Sequence, residues 1–184
     1  MYHREHKHLY AQHKYYATVR ITNINYTIMK LKITQFIALF LLLLVTGIFW
    51  GNYFSLSRSF EVFSAIELIH LAKTLVQNLA MPMRIISPAC ILFMILSAWF
   101  YPQKTSKEFY FNIAAILLIV AALVITVVIE VPINNQIIAW TATTIPADWE
   151  TIRNDWQFFN IIRTFASLLG FAFFAAAILK PFQK

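Results

Sequence analysis

Residues 109–129 read FYFNIAAILLIVAALVITVVI, from Phe109 to Ile129. These 21 positions carry no charged side chain and consist mostly of Ile, Leu, Val and Ala. At about 1.5 Å rise per residue, a helix of this length crosses a hydrocarbon core roughly 30 Å thick. The stretch reads as a transmembrane helix closed by Glu130 and Pro132.

Working outward, the chain supplies partners of the same kind. Of its 184 residues 60% are hydrophobic and 12% charged, well below the roughly 25% charged of a soluble domain. Ile33–Ser57 is uncharged and long enough to be a first span. Ile85–Tyr101 is also uncharged, and its 17 residues sit at the lower limit for crossing. A fourth span runs from Trp156 to Leu179, interrupted by Arg163 alone. Between Ser59 and Arg84 the chain stays apolar, yet Glu67, His70, Thr74 and Gln77 recur at helical steps. That pattern predicts an amphipathic helical segment in the first outer loop, leading into a second span that is kinked at Pro88.

The expected fold is all-α: an integral membrane four-helix bundle with spans at about 33–57, 85–101, 109–129 and 156–179. Residues 33–180 form one membrane domain. A basic, His-rich tail of poor order precedes it (1–32), and a short cytoplasmic C-terminus follows (181–184). The sequence Met29-Lys-Leu-Lys before an apolar run resembles a start site, but the run is too long for a signal peptide and no small-residue cleavage pattern follows.

The net charge of +7 is unevenly spread: residues 1–32 hold six of the 15 Lys and Arg against the single acid Glu5, which leaves +2 for everything after. Basicity confined to a tail beside a span suits anionic lipid headgroups, so membrane lipids are expected partners and nucleic acid is not. Lys30 and Lys32, then Lys104 and Lys107, then Lys180 and Lys184 flank the span ends. Their placement puts both termini in the cytoplasm and the long connections after the first and third spans outside. Trp140, Trp149 and Trp156 are expected in an outer interfacial belt. Gly47, Gly51 and Ser55 offer a small-residue face for close approach of another helix within the bundle. Oligomeric state is not legible.

Cofactor and metal motifs are not found. Cys90 stands alone, which excludes an internal disulfide, a paired-cysteine redox site and a Cys-rich zinc site. Glu67-x-x-His70 has the spacing used by carboxylate-bridged di-metal bundles, but no second such pair exists within the bundle. His70 is the sole histidine after position 13, so two bundle histidines cannot hold a haem. His3, His6, His8 and His13 in the tail read as a solvated run that could hold a metal only loosely. The three glycines all fall within expected helices, which leaves no Gly-rich phosphate loop.

Chemistry points to the fourth helix. Arg153, Trp156, Asn160, Arg163 and Ser167 recur at steps of three and four, hence on one face. Arginine in hydrocarbon costs about 2.5–3.5 kcal/mol on insertion scales, so that face should turn toward protein groups, trapped water or a ligand. The two outer segments would bring Glu67 and His70 within reach of Asn134, Asn135, Arg153, Asn160 and Arg163, forming a pocket at the outer half of the bundle. His70, oriented by Glu67, is a candidate general base. A purely architectural pairing of Arg163 with Glu67 or Glu130 is the alternative.

The run Val131-Pro132-Ile133-Asn134-Asn135, followed by Trp140, Asp148-Trp149, Arg153, Trp156, Asn160 and Arg163-Thr164, resembles the signature of a four-span membrane family that includes the fungal anthrone oxygenases. Thr46-Gly47 to Ser55 fits that family's glycine-containing first helix, and the likeness covers about residues 33–180. The resemblance implies a four-helix membrane domain. From its characterised members it implies cofactor-independent oxygenation of an activated aromatic carbon to a quinone, and from its many bacterial members an inner-membrane location. On that reading the ligand is a small hydrophobic aromatic. His70, Glu67 and Arg163 are the catalytic candidates, and Asn134, Asn135, Trp140, Arg153, Trp156 and Asn160 the substrate-binding ones. The alternative is a non-catalytic bundle that binds a lipid or quinone, or a structural subunit of a membrane complex.

Overall fold

A computed structural model describes residues 2–179, with side chains placed from Tyr15 onward except at positions 17, 18, 21 and 23. The tail histidines at 3, 6, 8 and 13 and the lysines at 180 and 184 lie outside the described side chains.

Described residues form helices and connections without strands. Helix α1 spans Tyr2–Ser55, a 3-10 turn covers Ser57–Val62, and α2 spans Ala65–Phe100. Helix α3 spans Lys107–Ile125 and passes through a π-turn, Thr126–Glu130, directly into α4, Val131–Ala139; α5 closes the chain at Trp149–Leu179. Four of these units, Ile24–Val62, Ala65–Phe100, Lys107–Ala139 and Trp149–Leu179, are long and apolar enough to cross a membrane. The chain is an integral membrane protein with four spans.

The second and third spans are longer than expected. Amphipathic residues 65–84 do not form a separate element in a loop but the first half of α2, which runs on through Pro82 and Pro88. Its start is fixed by a capping box: Ser64 Oγ accepts from the Glu67 N–H (3.4 Å) while the Glu67 carboxylate accepts from Ser64 N–H and Oγ–H, each at 2.8 Å. At its far end the Ala98 carbonyl accepts from the Tyr101 N–H (3.4 Å), and Lys104 Nζ donates to the carbonyls of Ala98 (2.5 Å) and Trp99 (2.9 Å) in the last turn. Helix α1 likewise runs through position 32 without a break, so the expected boundary between tail and bundle is not an element boundary.

The third helix survives Pro132 because of what precedes it. Proline lacks the N–H that would bond one turn back, and its ring crowds that turn. In the π-turn the Val131 N–H reaches back five residues to the Thr126 carbonyl, so the ladder slackens one residue before the proline. Glu130, the last residue of that turn, faces inward and is 0% exposed.

The helices close a ring in which α1 packs on α2 and α5, and α3 packs on α2 and α5. A central core joins Leu42, Val45 and Phe49 of α1 to Met94 of α2, Ile119 of α3 and Phe174 of α5. Helices α3 and α5 meet closely at Gly170. A Cβ at Gly170 would lie 2.9 Å from Ile119 Cδ1 and 3.4 Å from the Ala115 carbonyl oxygen. Gly47 and Gly51 do not serve the expected close contact, since a Cβ at either meets nothing within 4 Å. A second core of Phe60, Leu68, Ile69, Ile137, Trp140 and Trp156 lies at the end of the bundle bearing the 56–64 and 140–148 connections, hereafter the upper end. Trp140 and Trp156 are therefore packing residues rather than members of a lipid-facing belt. Their indoles are 7% and 6% exposed because Ile137, Phe60 and α2 cover them.

Candidate functional site

All five stripe residues of α5 are buried: Arg153, Trp156, Asn160, Arg163 and Ser167. Opposite them stands a second polar row, Thr126, Glu130 and Asn134, each about one turn from the next across the π-turn and α4. Two centres result.

The inner centre is built around Arg163. Its Nε and Nη2 both donate to Asn160 Oδ1 (3.1 and 2.9 Å), Nη1 donates to Thr126 Oγ1 (3.4 Å), and the guanidinium lies 4.7 Å from the centre of the Phe49 ring. Nη2 is also 3.6 Å from Glu130 Oε2, an ion pair longer than a hydrogen bond. Both Glu130 carboxylate oxygens and Asn160 Nδ2 are buried without a hydrogen-bond partner. Buried polar atoms are seldom left unpaired, since each costs the loss of its water. The centre thus combines unmet acceptors on Glu130 with an unmet donor on Asn160, joined through one guanidinium. Its complement is a small group that both donates and accepts, such as a hydroxyl or an enol. Below it Thr164 Oγ1 donates to the Asn160 carbonyl (2.7 Å) and to that of Phe49 (3.4 Å), which ties α5 to α1.

The outer centre lies one turn higher. Trp156 Nε1 donates to Asn134 Oδ1 at 2.9 Å and its ring packs on Phe60 with centroids 4.7 Å apart. Arg153, one turn beyond, shares Nε and Nη2 on Asn154 Oδ1 (3.2 and 3.1 Å), sends Nη1 to the Phe60 carbonyl (3.5 Å) and sits 5.2 Å from the Trp149 ring centre. Between these groups and α2 is a partly open pocket with free volume ≈ 10 Å³, room for about one water. The Trp156–Asn134 bridge stands between this pocket and the inner centre.

The expected cluster of residues 67, 70, 134 and 163 is divided. Arg163 and Asn160 meet at the inner centre, and Asn134, Arg153 and Trp156 at the outer one. Glu67 and His70 join neither. Both are exposed, Glu67 is engaged by Ser64, and the His70 side chain makes no hydrogen bond or ion pair with Glu67. The physical reason is the capping box: the carboxylate turns back over the helix start rather than along the face toward His70. The signature Ser64-x-x-Glu67 was available in the sequence to say so. Asn135 is exposed, and Trp140 caps α4 and fills the upper core. The residue that sequence reasoning undervalued is Glu130, treated as the end of a span. Its signal is the four-residue step Thr126–Glu130–Asn134, a polar row in an otherwise apolar helix.

Compared with known families, the chain matches the anthrone oxygenase model over residues 75–173. It belongs to the anthrone oxygenase family. The matched segment takes in Thr126, Glu130, Asn134, Arg153, Trp156, Asn160 and Arg163, hence most of both centres, and leaves out Glu67, His70 and Phe49. No curated protein and no solved structure matches the chain.

Proposed function

We propose that this member of the family is a membrane-embedded oxygenase acting on a small lipophilic aromatic with an acidic carbon–hydrogen bond, of which an anthrone methylene is the type. The observation that carries the reading is the Glu130 carboxylate, fully buried yet free of hydrogen bonds, facing a buried guanidinium within the family-matched segment. Glu130 takes a proton from the methylene, and the electron pair moves onto the ring carbonyl as an enolate. Arg163 and Asn160 Nδ2 stabilise that oxyanion by charge and hydrogen bonding. The enolate carbon then bonds to dioxygen, and the resulting peroxide anion takes a proton. Loss of the second carbon-bound hydrogen as a proton breaks the O–O bond, releases water and leaves a carbonyl. One oxygen atom ends in the quinone and one in water, and dioxygen takes four electrons from carbon.

Glu130 is the general base here, in place of His70, because it is inside the bundle and in contact with Arg163. Trp156 and Asn134 form the near wall on the side from which a substrate arrives, and their hydrogen bond must open to admit a tricyclic ring. From the Lys and Arg distribution we further propose that both termini are cytoplasmic and that the polar centres lie under the exoplasmic leaflet of a bacterial inner membrane.

The test is oxygen uptake and quinone absorbance when the purified full chain is given an anthrone. Wild type should exceed uncatalysed oxidation, Glu130→Gln should lose about 10²–10⁴-fold, Arg163→Gln about 10²–10³-fold, and His70→Ala should stay within about twofold. Quinone formation no faster than without protein would overturn the reading in favour of a non-catalytic lipid or quinone binder. Full turnover in Glu130→Gln would remove Glu130 from the mechanism.

A further inference from the structure

The two buried arginines differ in one respect: Arg163 has Glu130, while no carboxylate among the described residues pairs with Arg153, which is 9% exposed. Glu150 and Asp155, three and two positions away, are exposed and form no ion pair with Arg153. A buried charge lacking its opposite is expensive, and neutral acceptors relieve that only in part. The acceptors that Arg153 has are an amide oxygen, shared by two of its nitrogens, and one carbonyl at the long distance of 3.5 Å. With five N–H groups in a planar fork, it retains donors for a further acceptor. Asn134, whose oxygen is taken by Trp156, lines the same pocket as Arg153.

These groups line one side of the outer pocket, while α2 supplies the other side as a run of Leu68, Leu71 and Leu75, with Phe60 above. The free volume takes about one water-sized group, so a bound head widens the pocket at Leu71 and Leu75, which are only half-buried. We propose that this pocket binds the carboxylate of an amphiphilic acid, with Arg153 as its counter-charge and the leucine wall of α2 as the bed of its apolar chain. A planar carboxylate matches the guanidinium fork in two parallel hydrogen bonds. The site is distinct from the oxygenation centre and does not depend on that reading, since it requires binding alone.

Full-length protein in nanodiscs of neutral phosphatidylcholine, titrated with radiolabelled palmitate and, separately, hexadecanol, with empty discs subtracted, tests it. Palmitate should bind saturably at one per chain and at least tenfold more tightly than the alcohol. Arg153→Gln should lower palmitate to the level of the alcohol, while the exposed Arg84→Gln leaves both unchanged. Equal binding of acid and alcohol, or undiminished palmitate binding in Arg153→Gln, would overturn the proposal. Displacement of palmitate by millimolar inorganic phosphate would contradict the role given to the leucine wall. Should Arg153→Gln fail to fold, wild-type protein decides: palmitate binding should fall as pH drops through the carboxylate range while alcohol binding stays flat, and parallel curves would refute the pairing. Neither ligand is turned over, so a chain without oxygenase activity gives the same answer.

Discussion

A guanidinium sealed inside a helix bundle needs opposite charge, and the Arg163–Glu130 pair supplies it at 3.6 Å without a hydrogen bond on either carboxylate oxygen. Removing one member of such a pair leaves an uncompensated buried charge and costs about 3–5 kcal/mol, whereas replacing both with apolar groups of similar volume is close to neutral. Glu130→Leu and Arg163→Met should each lower the thermal unfolding midpoint in detergent by on the order of 10 °C. The double variant should return to within a few degrees of wild type. Equal and additive losses in the two single variants would show that the two side chains act independently. At this scale the sequence was partly legible. Arg163 and Asn160 stand out by periodicity on a greasy helix, but Glu130 sits at the end of an apolar run, where a charged residue ordinarily meets the interface. The polar step Thr126–Glu130–Asn134 was there to be read, whereas the π-turn that carries Glu130 is a backbone adjustment that side-chain patterning does not register.

Element by element, the helices obey local chemistry at their ends and packing in their middles. Ser64→Ala removes the capping box of α2 and should cost about 1 kcal/mol with no effect on turnover, read by thermal unfolding and quinone formation together. The glycines separate by location. A Cβ at Gly170 would lie 2.9 Å from the end of the Ile119 side chain, so Gly170→Val requires that side chain to repack between α3 and α5 and should cost about 1–3 kcal/mol. Gly47→Ala has open space around it and should raise helix stability by about 0.5–1 kcal/mol. A Gly-x-x-x-Gly spacing alone could not say which glycine is used, because the contact depends on the rotation of α1 in the bundle. The start of α2 was misplaced for a related reason. Residues 65–84 carry too many polar groups to read as a span, although their apolar face is continuous with it and includes Leu68, Ile69 and Ala72 in the upper core.

For the molecule as a whole, hydropathy and the lysine distribution carry most of the argument, and both act over lengths that sequence displays directly. Four long apolar segments with short connections leave little choice but an antiparallel bundle. In a Cys90→Ser background, single cysteines at Glu61 and Thr143 should react with an impermeant maleimide from one side of the membrane and a cysteine at Gln103 from the other. Labelling of all three from the same side would break the topology. The division of the polar stripe into two centres was beyond the sequence, since it depends on which side chains of α3 and α4 stand opposite each turn of α5. The central claim is that the inner centre performs chemistry and is more than an internal salt link. The most direct measurement is quinone formation by the purified Glu130→Leu/Arg163→Met double variant, whose fold should survive. The expected result is a folded protein with a rate equal to uncatalysed oxidation beside an active wild type, and wild-type turnover in that variant would contradict the claim.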